Sequence, residues 1–276
     1  MKIPDELEGA FKARATDCSK YTIGVVAVVG GTCQYPNAPV IAGLGARAGG
    51  AGLVRLVVPD ASRHCAGALL PEATFVKLDD VCEIPKADVT VIGMGLGRDE
   101  AAEGILAHFL SGRGGRFVVD ADALAILAQH GTCAQVAGRE IVLTPHEGEA
   151  ARLLGVSRED VAADRTAAAR EIAGRYCATV VLKGPGTIVA SRDAKRIYTN
   201  TTGNPFMALG GMGDLLSGVI GARWAYLGAD PFLAAASAAW LHGAASDGLV
   251  ASGGDPSIAN TATHIGAMRT RLDGMR

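Results

Sequence analysis

Neither sign of charge is in excess in this sequence of 276 residues, which has 26 Lys and Arg against 28 Asp and Glu. Proteins that bind nucleic acid or anionic membranes usually carry a basic surface. The formal net charge here is −2, so neither nucleic acid nor a membrane is expected as a partner. Aromatic residues are also scarce, at 5%, whereas 49% of the residues are hydrophobic and 37 are glycine. This composition predicts a folded interior built mainly from small aliphatic side chains.

Long apolar runs are missing as well. The longest uncharged stretch, Tyr21 to Ala46, is interrupted by glycines, prolines, Gln34 and Asn37. A membrane span needs about 20 continuous apolar residues, so none is expected. The first residues, Met1 to Arg14, contain three acidic residues and no apolar segment of the kind found in secretory signals. These features predict a cytoplasmic protein.

Paired cysteines are absent too. No Cys-x-x-Cys motif occurs, and the six cysteines are far apart, at positions 18, 33, 65, 82, 133 and 177. This spacing argues against a zinc site or a disulfide framework. It favours reduced, scattered and mostly buried thiols.

Short apolar segments alternate with alanine-rich stretches along most of the chain. The predicted strands are Ile23 to Val29, Leu53 to Val58, Val89 to Ile92, Phe117 to Val119, Ile141 to Leu143 and Thr179 to Leu182. The predicted helices between them are Pro36 to Arg47, Glu100 to Leu110, Asp122 to Gln129, Glu147 to Leu154 and Arg158 to Tyr176. Uniformly apolar strands separated by helices are typical of a mostly parallel sheet covered on both faces. We therefore predict an α/β fold.

The pattern changes after Leu182. Turn sequences on both sides of a short strand, followed by a second strand at Arg196 to Thr199, predict an antiparallel hairpin. Three helices are expected from Asp214 onward, the second starting at Asp230-Pro231 and ending near Gly243. No linker or repeat divides the chain, so residues 1–276 are predicted to form a single domain.

The segment before Asp214 carries the clearest chemical signal. Glycines 210, 211 and 213 precede this acid and a hydrophobic helix. Glycines let backbone N–H groups approach an anion, and a helix N-terminus adds partial positive charge and unpaired donors. Asp214 is then either a general base that takes a proton from an attacking hydroxyl, or an ordinary helix N-cap. The three glycines favour the phosphate site, because capping requires none of them.

Through this glycine-rich segment and Asp214, the sequence resembles the ribokinase-like superfamily, and within it the ADP- or ATP-dependent NAD(P)H-hydrate dehydratases. The resemblance covers nearly the whole chain and depends on the order of several motifs. These are Gly30-Gly31, Asn37-Ala38-Pro39, Ala48 to Gly52, Asp120-Ala-Asp122, Leu143 to Glu149, Val181 to Thr187, and Gly203-Asn204-Pro205 through Asp214. It implies a ribokinase-like fold and the repair of hydrated NADH or NADPH at the expense of ADP or ATP.

The resemblance also implies roles for particular residues. Asp214 would remove the proton of the hydrate hydroxyl, while the amides of Gly211, Met212 and Gly213 stabilise the transferring phosphoryl group. The nucleotide would lie against Gly213 and the segment Lys183, Gly184, Pro185, Gly186 and Thr187. Without the resemblance, the residues of that segment favour a plain Gly-Pro turn.

The implied substrate contacts are Ala38, Gly95, His146 and Asp214. Glu149 resembles the acid that helps to place Mg2+, through water, in related kinases; its alternative is a solvated first-turn carboxylate. Asp120 is a further possible site residue. Three positions depart from the family pattern, namely Asn37, Phe206 and Met212, and they affect the shape of the pocket.

Three other functions remain open at the sequence level. A hydroxyethylthiazole-type or sugar kinase would use the same glycines. A dehydrogenase could be inferred from Gly93-Met-Gly95-Leu-Gly97, although its spacing is not Gly-x-Gly-x-x-Gly. A nucleotide-sensing protein would bind without turnover. The sequence leaves open whether ADP or ATP is used. The resemblance implies a homo-oligomer such as a tetramer, and the Ala-rich segment Phe232 to Ala245 could pack another subunit as easily as its own core.

Overall fold

A computed structural model describes residues 2–78, 86–111, 115–130 and 139–274. These residues form one nine-stranded sheet. Its strands are β1 (Val25–Val29), β2 (Leu53–Val58), β3 (Thr74–Lys77), β4 (Val89–Ile92), β5 (Arg116–Val119), β6 (Glu140–Leu143), β7 (Thr179–Leu182), β8 (Ile188–Ala190) and β9 (Ile197–Thr199).

The strand order is β3-β2-β1-β4-β5-β6-β7-β8-β9. All pairs from β3 to β7 are parallel, and β7, β8 and β9 pair antiparallel. The connections run outward in opposite directions from β1 and β4. This reversal leaves a crevice at the carboxyl ends of those two strands, where open α/β sheets bind ligands.

Helices cover both faces of the sheet. They are α1 (Lys20–Ile23), α2 (Ala38–Gly49), α3 (Asp60–Leu69), α4 (Glu100–Ser111), α5 (Ala121–His130), α6 (Glu147–Leu154), α7 (Arg158–Ala163), α8 (Arg165–Tyr176), α9 (Met212–Leu227), α10 (Pro231–Ala251) and α11 (Ile258–Asp273). Short 3-10 helices lie at Asp5–Ala10 and Pro205–Met207. One core lies between the sheet and α2, α9, α10 and α11, and the other between the sheet and α4 to α8.

The predicted fold class is confirmed: the sheet is mostly parallel, has helices on both faces, and ends in antiparallel strands. The three helices after the glycine cluster are also present, although α10 continues to Ala251 rather than ending near Gly243. The expected helix from Arg158 to Tyr176 is wrong. It is broken at Asp164, whose non-helical backbone (φ −144°, ψ 84°) separates α7 from α8 and whose side chain caps α8.

Two predicted starts were early by two residues. Ile23 belongs to α1 and the strand begins at Val25, while the helix predicted from Pro36 begins at Ala38. Helix α3 and strand β3 were not predicted from the sequence. Strand β3 contains no buried residue.

The expectation of mostly buried thiols is wrong for the cysteines that the structure describes. Cys18 and Cys33 are exposed and Cys65 and Cys177 are partly exposed; positions 82 and 133 lie outside the described residues. None of the described helices is long and apolar enough to cross a membrane.

Glycines allow α2 and α9 to pack backbone against backbone. A Cβ on Gly218 would lie 1.8 Å from the carbonyl oxygen of Ala42, and a Cβ on Gly45 would lie 2.0 Å from that of Leu215. The contacts pair residue 45 with 215 and residue 49 with 219, so the two helices run parallel. Their N-termini therefore lie at the same end, where Gly211 meets the side chain of Ile41.

We predict that Gly218→Ala strongly destabilises the protein. The methyl group has no space against the Ala42 carbonyl, so the helices would have to separate, and we expect a loss of at least about 3 kcal/mol in the free energy of unfolding. Gly174→Ala in α8 is the matched control, because a Cβ there meets nothing within 4 Å; it should raise stability by up to about 1 kcal/mol. Urea unfolding measures both variants. Equal stability of the two would contradict the packing argument.

Candidate functional site

The predicted site residues come together at the carboxyl edge of the parallel sheet. Loops after β1, β4, β5, β6 and β7 reach this edge, and the N-terminus of α9 faces it. Close approach of these loops requires glycine. A Cβ on Gly30 would lie 2.4 Å from the carbonyl oxygen of Met94, and one on Gly93 would lie 2.1 Å from that of Asp120.

A buried ion pair between Lys183 and Asp120 lies at the centre of this edge. The Lys183 Nζ donates to Asp120 Oδ1 at 2.7 Å, and the Ser217 hydroxyl donates to Asp120 Oδ2 at 2.7 Å. Burial alone would raise the pKa of Asp120, but the Lys183 ammonium and these hydrogen bonds outweigh it and lower that pKa. Burial also opposes the charge on Lys183, yet Asp120 and Glu149 hold its pKa above the usual value. Both groups are therefore charged at neutral pH.

Asp214 lies in the first turn of α9 and is partly buried. Burial raises its pKa to about 7, and the negative charges of Asp120, Glu149 and Asp122 act in the same direction, against the Lys183 ammonium. A carboxylate with this pKa is ionised above neutral pH and is a much stronger base than an ordinary aspartate. The structure thus distinguishes Asp214 from the helix N-cap, a position held by Gly211.

The start of α9 offers backbone donors to a ligand. Gly211 is in the left-handed region with φ +94°, and a Cβ on Gly210 would meet nothing within 4 Å. The side chain of Met212 is buried, and its N–H donates to the carbonyl of Leu209 at 3.2 Å, so this amide is already paired. Gly213 and Asp214, by contrast, stand in the first turn, where amides lack a helical acceptor. The Lys183 Nζ lies 3.3 Å from the position of a Cβ on Gly213.

The segment from Lys183 to Thr187 divides into inward and outward residues. Gly184, Pro185 and Gly186 are exposed. The Lys183 ammonium points inward to Asp120, and the Thr187 hydroxyl donates to the carbonyl of Gly184 at 2.9 Å. The predicted nucleotide segment therefore presents mainly backbone to a ligand, and the threonine hydroxyl is used to close its own turn.

His146 and Glu149 form a capping box at the start of α6. His146 Nδ1 accepts from the amides of Gly148 and Glu149, at 2.9 and 3.2 Å, and Glu149 Oε2 accepts from the His146 amide at 2.8 Å. The His146 side chain is 59% exposed, so its ring remains available to a ligand. Glu149 is almost buried and lies 3.8 Å from the Lys183 Nζ.

Ala38 and Gly95 share one wall of the crevice with Tyr35. A Cβ on Gly95, whose φ is +63°, would lie 2.7 Å from the Tyr35 Cβ and 3.3 Å from the Ala38 Cβ. The loop after β4, which carries Gly95, is held in place by Asp122, whose carboxylate accepts from the Gly97 amide at 3.0 Å. These contacts explain the Gly-x-Gly-x-Gly run by packing. The dehydrogenase alternative loses its basis, because the acid about twenty residues on, Asp120, is paired with Lys183.

Two residues that contact the predicted site residues were not predicted from the sequence. Ser217 lies one turn after Asp214 and binds Asp120, and Arg165 begins α8 and binds the backbone of the Lys183 segment. Ser217 could have been found from its i+3 spacing on the predicted helix. Arg165 could not be found in this way, because the predicted helix from Arg158 to Tyr176 places it within a helix rather than at a helix start.

We predict that Asp214→Asn stabilises the fold in a pH-dependent manner. The pKa is raised on folding, so the folded state binds the proton more tightly and the Asp214 contribution to stability falls as pH rises from about 4 to about 7. The variant should match the wild type near pH 4 and exceed it above pH 7, by up to about 4 kcal/mol. Thermal unfolding from pH 4 to 9 measures this difference, with Asp17→Asn as an exposed control. A constant difference at all pH values would contradict the raised pKa.

Comparisons with known proteins agree with this geometry. Residues 26–269 match the family described as NAD(P)H-hydrate dehydratase. Over 248 residues the chain is 44% identical to the ADP-dependent (S)-NAD(P)H-hydrate dehydratase of Neisseria meningitidis, covering 88% of this chain and 83% of that protein. It is 38% identical over 253 residues to the bifunctional NAD(P)H-hydrate repair enzyme Nnr of Escherichia coli, covering 90% of this chain but 47% of that protein. The chain thus spans about half the length of the bifunctional relatives.

Solved structures give the same result. The ADP/ATP-dependent NAD(P)H-hydrate dehydratase of Bacillus subtilis, co-crystallised with ATP/Mg2+, superposes with a TM-score of 0.87 at 27% identity over 99% of both chains. A hydroxyethylthiazole kinase of Pyrococcus horikoshii superposes with a TM-score of 0.59 at 15% identity, over 97% of this chain and 94% of that one, and shares the fold alone. This chain belongs to the NAD(P)H-hydrate dehydratase family.

Proposed function

We propose that this protein uses ADP or ATP to dehydrate hydrated NADH or NADPH back to the intact dinucleotide, as a carbon-oxygen lyase. The observation that carries the proposal is a carboxylate with a pKa of about 7, Asp214, in the first turn of a helix that begins with glycines. A base and a set of anion-binding amides are thereby placed side by side, which is the arrangement that phosphoryl transfer to a hydroxyl requires.

The proposed reaction has two stages. Asp214 takes the proton of the hydrate hydroxyl as its oxygen forms a bond to the terminal phosphorus of the nucleotide, and the bond from that phosphorus to the leaving phosphate oxygen breaks. The lone pair of the ring nitrogen then expels phosphate from the ring carbon. Loss of a proton from the adjacent carbon restores the double bond. The first stage uses the amides at the start of α9 to stabilise the charge that develops on the phosphoryl oxygens.

We propose separate sets of contacts for the substrate and the nucleotide around Asp214. Ala38, Gly95 and the exposed ring of His146 would contact the hydrated dinucleotide. The exposed backbone of Gly184, Pro185 and Gly186 would contact the nucleotide, together with Gly213. Lys183 would act through its charge, since its ammonium lies behind Gly213 and adds positive potential to the helix N-terminus.

The donor set near Asp214 fits magnesium held mainly by phosphate groups. Among residues 2–78, 86–111, 115–130 and 139–274, no three His, Cys, Asp or Glu side chains cluster as a metal site. Mg2+ commonly keeps several waters and uses one or two carboxylates besides the substrate phosphates. Glu149 would reach it through water, since its Oε2 is bound to the His146 amide. When bound, the ion would neutralise charge on the phosphoryl groups.

We also propose a domain organisation, a compartment and an assembly state. Residues 1–276 are proposed to act as one domain, and the cytoplasm, where adenine nucleotides and NAD(P)H are abundant, is proposed as the compartment. A homo-oligomer, such as a tetramer, is proposed by resemblance. The segment Phe232 to Ala245 does not support it, because all but one of its residues are buried within this chain. Sedimentation analysis measures the assembly state.

The decisive experiment mixes hydrated NADH with ADP or ATP and Mg2+. The wild type should restore the absorbance of intact NADH with stoichiometric release of phosphate. Phosphorylated hydrate that accumulates without loss of phosphate would favour the small-molecule kinase alternative. Nucleotide binding without any turnover would favour the sensing alternative.

Asp214→Asn should abolish turnover while preserving nucleotide binding. The amide cannot accept the hydroxyl proton, and we expect a loss of at least about 100-fold in kcat. Calorimetry should give an ADP affinity within about twofold of wild type, because the backbone amides remain. Wild-type turnover by this variant would remove Asp214 from the mechanism.

The pH profile should show the same base. Since the carboxylate must be ionised, kcat/KM should fall below an apparent pKa near 7. Asp120→Asn removes a negative charge that raises this pKa and frees the Lys183 ammonium, so the acidic limb should move to lower pH. Circular dichroism checks that the variant is folded. A limb that stays in place would assign the ionisation to another group.

A further inference from the structure

Arg165, the first residue of α8, binds the loop that follows β7 along nearly its whole length. Its Nη2 donates to the carbonyls of Leu182 and Lys183, at 3.2 and 3.0 Å. Its Nη1 donates to the carbonyl of Gly186 at 3.2 Å and to that of Pro185. Four of the five backbone carbonyls of residues 182–186 are thus bound to one side chain that is only 17% exposed.

The loop is shaped around this guanidinium. Gly184 has φ +137°, and a Cβ there would lie 2.9 Å from Arg165 Nη2. Gly186 has φ +63°, and a Cβ there would lie 4.0 Å from Arg165 Nη1. Gly184 therefore makes room for the arginine, while Gly186 supplies a left-handed turn beside it. A planar group with five donors suits this task, whereas a lysine ammonium concentrates its donors at one point.

Arg165 is itself held by Glu147, the first residue of α6. Its Nε lies 3.4 Å from Glu147 Oε1, while Glu147 Oε2 binds Arg158 at 3.3 Å. Glu147 directly follows His146, so one chain of contacts joins the His146 turn to the Lys183 loop. The carbonyls turned toward Arg165 leave the opposite side of the loop to face a ligand.

We propose that Arg165 is a positioning residue for nucleotide binding: it holds the backbone of residues 182–186 in the conformation that accepts ADP or ATP. The inference rests on the proposed function, which assigns the nucleotide to this loop. Arg165 touches neither reacting atom, so it should affect nucleotide affinity and leave the chemical step unchanged.

Arg165→Met tests this role by calorimetry with ADP and by steady-state kinetics. Loss of four hydrogen bonds from a charged donor should raise the nucleotide Kd and KM about tenfold, while kcat at saturating nucleotide and KM for hydrated NADH stay within about twofold. Arg165→Lys should recover part of the affinity. The matched control is Arg170→Met, on the same helix, whose Nη1 binds the carbonyl of Ala194 in the β8-β9 turn instead; its nucleotide Kd should equal that of wild type.

An unchanged nucleotide Kd in a folded Arg165→Met variant would overturn the inference, and so would a fall in kcat without a change in Kd. If the methionine variant fails to fold, Arg165→Lys decides, since weaker binding supports the role and wild-type binding removes it. Calorimetry needs no turnover. A wild type that binds ADP without repairing hydrated NADH would defeat the proposed function alone.

Discussion

The site depends on the buried pair of Lys183 and Asp120. Each charge would be strongly unfavourable at this depth without the other, and removing one partner of a buried pair costs about 3–5 kcal/mol. The pair joins the carboxyl ends of β5 and β7, and Ser217 extends it to α9. The same pair sets the chemistry of its neighbour. Asp120 raises the proton affinity of Asp214, while Lys183 limits that rise and directs positive potential toward the α9 N-terminus.

Most of the fold could be predicted from the sequence because its strands are buried on both faces. Val25–Val29 and Val89–Ile92 contain no exposed residue, and such runs carry a clear signal without any alternation. The edge strand Thr74–Lys77 lacks that signal, since none of its residues is buried. The break at Asp164 was missed for a different reason. Neither proline nor glycine marks it, and the turn is stabilised by the Asp164 side chain, which binds the Ala167 amide.

The residues of the site could also be predicted from the sequence, but the contacts between their side chains could not. Glycines before an acid and a helix predict an anion site, and Asp214 was found in this way. The direction of the Lys183 side chain is a tertiary property, because Asp120 is 63 residues away in the chain. The same holds for Arg165, whose four acceptors are backbone carbonyls that no side-chain pattern records. The raised pKa of Asp214 is a tertiary property as well, because it arises from burial and from the charges of Asp120, Glu149 and Asp122 on other loops.

The parallel arrangement of α2 and α9 has a mechanical consequence. Helix backbones in contact at Gly45 and Gly218 have no side chains between them to repack, so these two helices form a rigid wall. Their aligned dipoles repel each other, and an anion at their shared N-terminal end would relieve that repulsion. The reactive carboxylate, Asp214, therefore stands on a helix that cannot shift without moving its neighbour.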